Sequence, residues 1–86
     1  MNRDEVRAGL ERVIRDALED DSIVIRDATT AKDVDGWNSI SHINIVVGAE
    51  QRFRVKLTLR ELSALNNVGE LIDAIVAKSG SADAGA

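Results

Sequence analysis

The sequence contains neither cysteine nor proline, and Trp37 and Phe53 are its only aromatic residues. Without cysteine the chain forms no disulfide framework and offers no thiolate for catalysis or zinc binding. No apolar run approaches the length that spans a bilayer, so no membrane insertion is predicted. With so few aromatic residues, the hydrophobic content of 44% indicates a core packed from aliphatic side chains.

The length and the charge narrow the function classes further. A chain of 86 residues allows one small domain, near the lower limit for a single core. Its net charge of −4 argues against a nucleic-acid partner, because phosphate backbones bind clustered basic surfaces. The first residues, MNRDEVRAGLERV, lack the apolar stretch of a signal peptide. We therefore expect a cytoplasmic monomer that binds proteins or small molecules.

Three long segments carry apolar residues at helical spacing, which predicts three amphipathic helices. The first has Asn2 or Asp4 as its cap and ends near Glu19. The last opens after Asn67, with Glu70 three residues later in an arrangement that resembles a capping box. Both helices are therefore expected to begin at a side chain that accepts from free backbone N–H groups.

The second helix is predicted from Ser39 to Phe53, with Asn38 as its N-cap. Its buried stripe is expected to consist of Ile40, Ile43, Val46, Val47 and Phe53. We expect the three long helices to share one core that includes Leu10, Val13, Ile43, Val47, Leu71 and Ile75.

Two connections complete the predicted domain. Residues 19–38 form a long loop without periodicity, so it must be either functional or anchored by its apolar residues: Ile23, Val24, Ile25, Val34 and Trp37. A short helical turn is predicted over residues 59–65. It follows the RVKLTL run, which is expected to be a loop that buries Val55, Leu57 and Leu59.

The predicted fold class is all-α. It is a four-helix bundle over residues 1–78, with one short helix and a long loop between the first and second helices. The small polar residues 79–86 are expected to form a disordered tail.

The segment VDGWNSISHINIV, residues 34–46, places Ser39 where an acidic loop becomes an apolar helix. A serine at a helix start usually makes only local hydrogen bonds. Here the free N–H groups and the dipole of a capped N-terminus would favour an attached phosphate. That setting suits a phosphorylated serine better than a catalytic one.

Gly36-Trp37-Asn38-Ser39-Ile40 resembles the signature of the acyl carrier proteins, in which an acidic loop precedes Asp-Ser-Leu. The resemblance continues through HINIVVGAEQRF and NVGELIDAIVAK and covers residues 5–78. It implies four helices in the family's order and a carrier subunit without catalytic activity or a metal site.

The resemblance also assigns a role to Ser39. In the family the serine hydroxyl attacks the β-phosphate of coenzyme A inside a Mg²⁺-dependent phosphopantetheinyl transferase. The implied product is a phosphodiester to 4′-phosphopantetheine, which replaces the missing cysteine with a thiol on a flexible arm. The implied partners are this transferase and the acyl-loading and acyl-processing enzymes of fatty-acid, polyketide or other specialised biosynthesis.

Three residues beside Ser39 are expected to lie near such an arm: Trp37, Asn38 and His42. Asn38 departs from the aspartate that the family usually has, which preserves a cap but removes a negative charge. His42 lies three residues after Ser39 and is interpreted as an exposed surface residue that can also contact the phosphate or a partner. A catalytic Ser39–His42 pair is a remote alternative, because no orienting carboxylate or oxyanion site is evident.

Charge is distributed unevenly along the chain. Residues 19–36 have a net charge of −4, whereas residues 37–66 have a net charge of +2. General fatty-acid carriers resemble one another in an acidic second helix, but here Glu50 is the only acid of that helix. Because charge sets the choice of partner, this pattern favours a dedicated carrier. The alternative, a solvent-exposed surface whose charges have drifted without any effect on partners, stays open.

Two further alternatives stay open from the sequence. Gly48 allows either close helix packing or room for an acyl chain in the core. The whole chain could also be an interaction module with the carrier fold and no prosthetic group, which the replacement at Asn38 makes conceivable.

Overall fold

The computed structural model describes the backbone of residues 2–85 and the side chains of residues 2–79. Its helices are α1 (Arg3–Leu18), α2 (Ser39–Phe53), α3 (Leu59–Ala64) and α4 (Val68–Gly85), and no strand occurs over residues 2–85. The all-α fold with one short helix and a long first loop is therefore confirmed. None of the described helices is both long and apolar enough to cross a membrane. A disordered tail was expected over residues 79–86. Apart from Ser79, these residues lie outside those with described side chains, so the disorder stays a prediction.

Asparagine side chains cap the starts of α1 and α4, as expected. The Asn2 side chain accepts from the N–H of Glu5 at 2.8 Å, so Asn2 rather than Asp4 caps α1. The Asn67 side chain accepts from the N–H of Glu70 at 2.9 Å, at the start of α4. Each bond satisfies a backbone donor that has no partner within its own helix.

The core lies between α1, α2 and α4 and is aliphatic except for Phe53. Its largest fully buried side chains are Val6, Leu10, Ile14, Ile45, Val68, Ile72 and Ile75. Leu71 is also buried, whereas Val13 is only partly buried. The sharing of one core by the three long helices is therefore confirmed.

The buried face of α2 differs from the expected one. Ile45, Val46, Ala49 and Phe53 are buried, whereas Ile40, Ile43 and Val47 are exposed. The predicted burial of Ile40, Ile43 and Val47 was therefore wrong. Because α2 carries apolar residues around most of its circumference, spacing alone does not select the side against which α1 and α4 pack.

The connection between α2 and α3 buries Val55 and Leu57, as expected, but Leu59 is 82% exposed. Its predicted burial was wrong, because Leu59 opens α3 on the side of that helix that faces solvent. The Thr58 hydroxyl caps α3 by accepting from the N–H of Glu61 at 3.1 Å.

Gly48 brings α1 and α2 close together. A Cβ atom at this position would lie 2.8 Å from Cγ1 of Val13 on α1, which is shorter than a normal contact. The structure thus favours close helix packing as the reason for this glycine in the middle of a helix.

The long loop is anchored to α1 through alternate residues. Ile23 and Ile25 are buried, whereas Val24, which was expected to be an anchor, is 62% exposed. Glu11 of α1 accepts from the N–H of Ile25 at 3.0 Å, and Arg15 of α1 donates to the carbonyl of Ile23 at 2.7 Å.

The loop also contacts the start of α4. The carbonyl of Thr29 accepts from the N–H of Val68 at 2.8 Å, and the carbonyl of Asp27 accepts from the N–H of Gly69 at 2.9 Å. The Asp27 side chain forms an ion pair with Arg3 at 3.0 Å. The loop is therefore held at both ends of the bundle before it reaches Ser39.

Candidate functional site

A tight turn leads the chain from the loop into α2. Gly36 has a φ of +87°, a backbone conformation that side-chain-bearing residues rarely adopt. The N–H of Trp37 donates to the carbonyl of Val34 at 3.3 Å, and the N–H of Asn38 donates to the carbonyl of Gly36 at 3.1 Å. This turn fixes the direction in which α2 begins.

Asn38 caps α2 through its side chain. Its Oδ1 atom accepts from the N–H groups of Ile40 and Ser41, both at 3.0 Å. Its carbonyl accepts the first backbone bond of the helix, from the N–H of His42 at 2.8 Å. The cap is neutral, and the first turn of α2 contains no acidic residue.

Ser39 is the first residue of α2 and is exposed. Over the described residues its hydroxyl forms no hydrogen bond, whereas the hydroxyl of Ser41 donates to the carbonyl of Gly36 at 2.8 Å. Ser39 borders an open cavity of about 400 Å³, together with Ala31, Trp37, Asn38 and His42. Its hydroxyl is therefore accessible and makes no contact that stabilises the fold.

Trp37 and His42 form a contact that the sequence did not indicate. Their rings stack with centroids 6.1 Å apart and an interplanar angle of 26°. The Nε1–H of Trp37 donates to Nδ1 of His42 at 3.2 Å, so a neutral His42 carries its proton on Nε2. His42 is thus partly buried rather than exposed. Its Nδ1 atom is bonded to Trp37 and not to Ser39, so the geometry gives no support to a catalytic pair.

The Trp37–His42 contact is open to a direct test by fluorescence. We expect His42→Ala to shift the emission of Trp37, the only tryptophan, to longer wavelength, because the indole loses its stacked ring and its acceptor. Asn44→Ala, an exposed change two residues farther along α2, should leave the emission maximum in place. Equal maxima for the wild type and His42→Ala would show that the contact does not form in solution.

Two cavities extend from His42 into the bundle. A groove of about 440 Å³ between α2 and α3 is lined mainly by apolar residues, among them Ile43, Val46 and Leu57. A smaller cavity of about 120 Å³ lies behind Trp37, against Leu62 of α3, Leu71 of α4 and the intervening Leu65. His42 borders both of these and the cavity beside Ser39.

The geometry at Ser39 fits an anionic group attached to its hydroxyl. The positive end of the α2 dipole lies at this residue, and it stabilises a negative charge held within the first turn. Two acids, Asp33 and Asp35, shortly precede this residue, and the Asp33 carboxylate accepts from the N–H of Thr30 at 2.9 Å.

The four predicted site residues, Trp37, Asn38, Ser39 and His42, line one cavity. Ala31 of the loop also lines it, and nothing in the sequence indicated this residue.

Comparison with known proteins gives one informative result. No protein-family model matches the chain, and no curated protein matches it. Among solved structures, the chain is similar to the solution structure of a holo acyl carrier protein from Geobacter metallireducens. The two are 38% identical and superimpose with a TM-score of 0.83, over 88% of this chain and 87% of the other.

Proposed function

Because this chain belongs to the acyl carrier protein family, we propose that Ser39 is the attachment residue for a 4′-phosphopantetheine arm. When bound, this group supplies the thiol on which acyl groups are held as thioesters. The observation that carries the proposal is the accessible Ser39 hydroxyl, which forms no hydrogen bond over the described residues and lies at the positive end of α2.

Each neighbouring residue has a role that follows from its contacts. Asn38 satisfies two N–H groups of the first turn and leaves the Ser39 side chain free. Trp37 and His42 form a packed flank beside the attachment point. The chain presents its attached group to other enzymes, and the reactions take place in those partners.

The proposed partners are a phosphopantetheinyl transferase and the enzymes that load and process acyl groups in the cytoplasm. Over residues 37–66 the charge is +2, and α2 contains a single acid, Glu50. Since charge governs which partners associate quickly, we propose a carrier dedicated to a specialised pathway, such as polyketide or modified fatty-acid synthesis, rather than the general fatty-acid carrier.

Intact mass spectrometry tests the proposal. The protein is incubated with coenzyme A, Mg²⁺ and a broad-specificity phosphopantetheinyl transferase. A gain of one phosphopantetheinyl mass, mapped to the peptide that contains Ser39, is the expected result. An unchanged mass, with a known carrier loaded in parallel, would favour the alternative of an interaction module without a prosthetic group.

Asn38→Asp tests the effect of the missing charge. With a transferase chosen for a basic carrier-contact surface, we expect the variant to be loaded a few-fold faster at low salt, because the added carboxylate attracts that surface and screening is weak within about 8 Å. The free energy of unfolding should barely change, because asparagine and aspartate cap helices about equally well. The measurement is the initial rate of loading at low and high salt.

Gln51→Glu is the matched control for Asn38→Asp. It adds the same charge at an exposed position about 20 Å farther along the helix axis, at 1.5 Å per residue. It should leave the loading rate unchanged. If Asn38→Asp gives no gain at either salt concentration, the charge beside Ser39 has no effect on the transferase.

A further inference from the structure

We propose that an exposed surface on α2 and α3, which begins one helical turn from Ser39 and ends in cations at and beyond the C-terminus of α2, docks partner enzymes through an acidic patch on the partner. This inference rests on the proposed carrier function and specifies the chemistry of its partners. We call this surface the α2–α3 face and define it by Ile43, Val47, Leu59 and by three cations, Arg54, Lys56 and Arg60. The face combines an exposed apolar centre with a basic edge.

The apolar centre consists of large side chains that the fold leaves in solvent. Ile43 is 62% exposed and Val47 is 44% exposed, and Leu59 lies across the groove from them on α3. The groove between these residues has a volume of about 440 Å³. Exposed apolar residues grouped in this way are typical of surfaces that bind another protein.

The basic edge is continuous with this centre. Val47 borders both the groove and a shallow depression of about 370 Å³ that Arg54 and Lys56 also line. Arg60 follows Leu59 on α3 and is exposed. Over the described residues none of these three cations forms an ion pair, whereas all four arginines of α1 do. Their charges are therefore available to a partner.

The carboxylates nearest in sequence are turned to internal contacts. Glu50 accepts from the N–H of Leu57 at 2.9 Å and so holds the connection between the two helices. Glu61 pairs with Lys78 of α4 at 2.9 Å, and this hydrogen bond lowers the pKa of Glu61. Glu50 keeps its negative charge, because its donor is a neutral N–H, and it lines the same depression as Arg54 and Lys56. Glu61 is balanced by Lys78, so the three cations outnumber the one uncompensated carboxylate and keep a positive excess at this edge.

The arrangement of charge along α2 selects the kind of partner. The helix has 15 residues, so Arg54 at its C-cap lies about 22 Å from Ser39 at 1.5 Å per residue. The loop at the Ser39 end carries the opposite charge, a net −4 over residues 19–36. An anionic bilayer would be repelled at that end, whereas a protein with a local acidic patch far from its active-site entrance matches both ends.

Binding to a matched pair of enzymes tests the proposal. The probes are a β-ketoacyl synthase chosen for a basic carrier-contact face, and a variant with glutamates in place of the basic residues farthest from its entrance. The carrier is used as Ser39→Ala, so that docking is measured without loading and its failure is separate from failure of the proposed function. We expect the acidic variant to bind about tenfold more tightly than the parent at low salt, with the difference shrinking at high salt.

Charge-matched variants of the carrier localise the effect. Replacing Arg54, Lys56 and Arg60 with glutamine should remove the preference for the acidic enzyme. Replacing three other exposed cations with glutamine, at Arg26, Lys32 and Arg52, removes the same charge and should leave the preference in place, since Arg52 borders the α1 side of α2. Equal binding of the two enzymes, or equal losses in the two triple variants, would overturn the proposal.

Two other occupants of the face are also tested. Phosphatidylglycerol vesicles should not bind the carrier, and binding that the Arg54/Lys56/Arg60 variant abolishes would assign the face to a membrane instead. Sedimentation velocity should show a monomer. A dimer that the same variant dissociates would assign the face to a second copy of the chain.

Discussion

Ser39→Ala is expected to fold as the wild type does and to gain no mass from coenzyme A. The hydroxyl is exposed and forms no hydrogen bond over the described residues, so its loss removes no contact. Asn38 still caps the helix through its bonds to Ile40 and Ser41, and alanine is a good helix former. The measurements are the thermal midpoint and the intact mass after incubation with transferase, coenzyme A and Mg²⁺.

Ser41→Ala is the matched control, two residues farther along the same helix. It removes a hydrogen bond to the carbonyl of Gly36, so it should lower stability by about 0.5–1.5 kcal/mol. It should nevertheless be loaded in full. Ser39→Ala is thus expected to lose loading and keep its stability, whereas Ser41→Ala should lose stability and keep its loading. Loading of Ser39→Ala at the wild-type level would rule out Ser39 as the attachment residue.

Ile45→Ala is expected to lower the free energy of unfolding by about 2–5 kcal/mol, the range found for truncated aliphatic residues in cores. Ile45 is completely buried on the inner face of α2. A loss of this size is a large share of the 5–15 kcal/mol that is typical of small domains, so the variant should be close to unfolding at 37 °C. Urea denaturation followed by circular dichroism measures the change.

Ile43→Ala is the counterpart on the same helix, with the same atoms removed two residues earlier. Because Ile43 is 62% exposed, its truncation should cost less than about 1 kcal/mol. If Ile43→Ala cost as much as Ile45→Ala, the inner face of α2 would be the one that helical spacing first suggested.

The sequence was sufficient to predict the helix starts, because these depend on neighbouring residues. The bounds of α2, Ser39 to Phe53, agree with the prediction, because Asn38 has an acceptor in reach of the first N–H groups. Asn2 and Asn67 act in the same way at α1 and α4. The position of Ser39 at an exposed helix start follows from these local bonds alone.

The buried face of α2 could not be predicted in this way. Ile45, Ala49 and Phe53 form one stripe at helical spacing, and Ile43 and Val47 belong to another, so both satisfy the same pattern. The choice between them depends on where α1 approaches, which Gly48 permits through its contact distance to Val13. Such contacts join residues far apart in sequence and leave no local signal.

The Trp37–His42 contact illustrates the same limit at the site. Both residues were expected near Ser39, but the stacking of their rings depends on the turn at Gly36 and on the first turn of α2 together. The free cations of the α2–α3 face were visible as a local charge excess. That Glu61 does not neutralise them became clear only from its ion pair with Lys78.

The two bonds from the loop to α4 have a kinetic consequence. The N–H groups of Val68 and Gly69 can exchange with solvent only when the carbonyls of Thr29 and Asp27 move away from them. Their hydrogen-exchange rates therefore measure how often the segment that leads to Ser39 detaches from the bundle, while amides in the middle of α4 report global unfolding. An enzyme that pulls this loop aside to reach Ser39 would accelerate exchange at these two amides, and one that engages the docked loop would slow it.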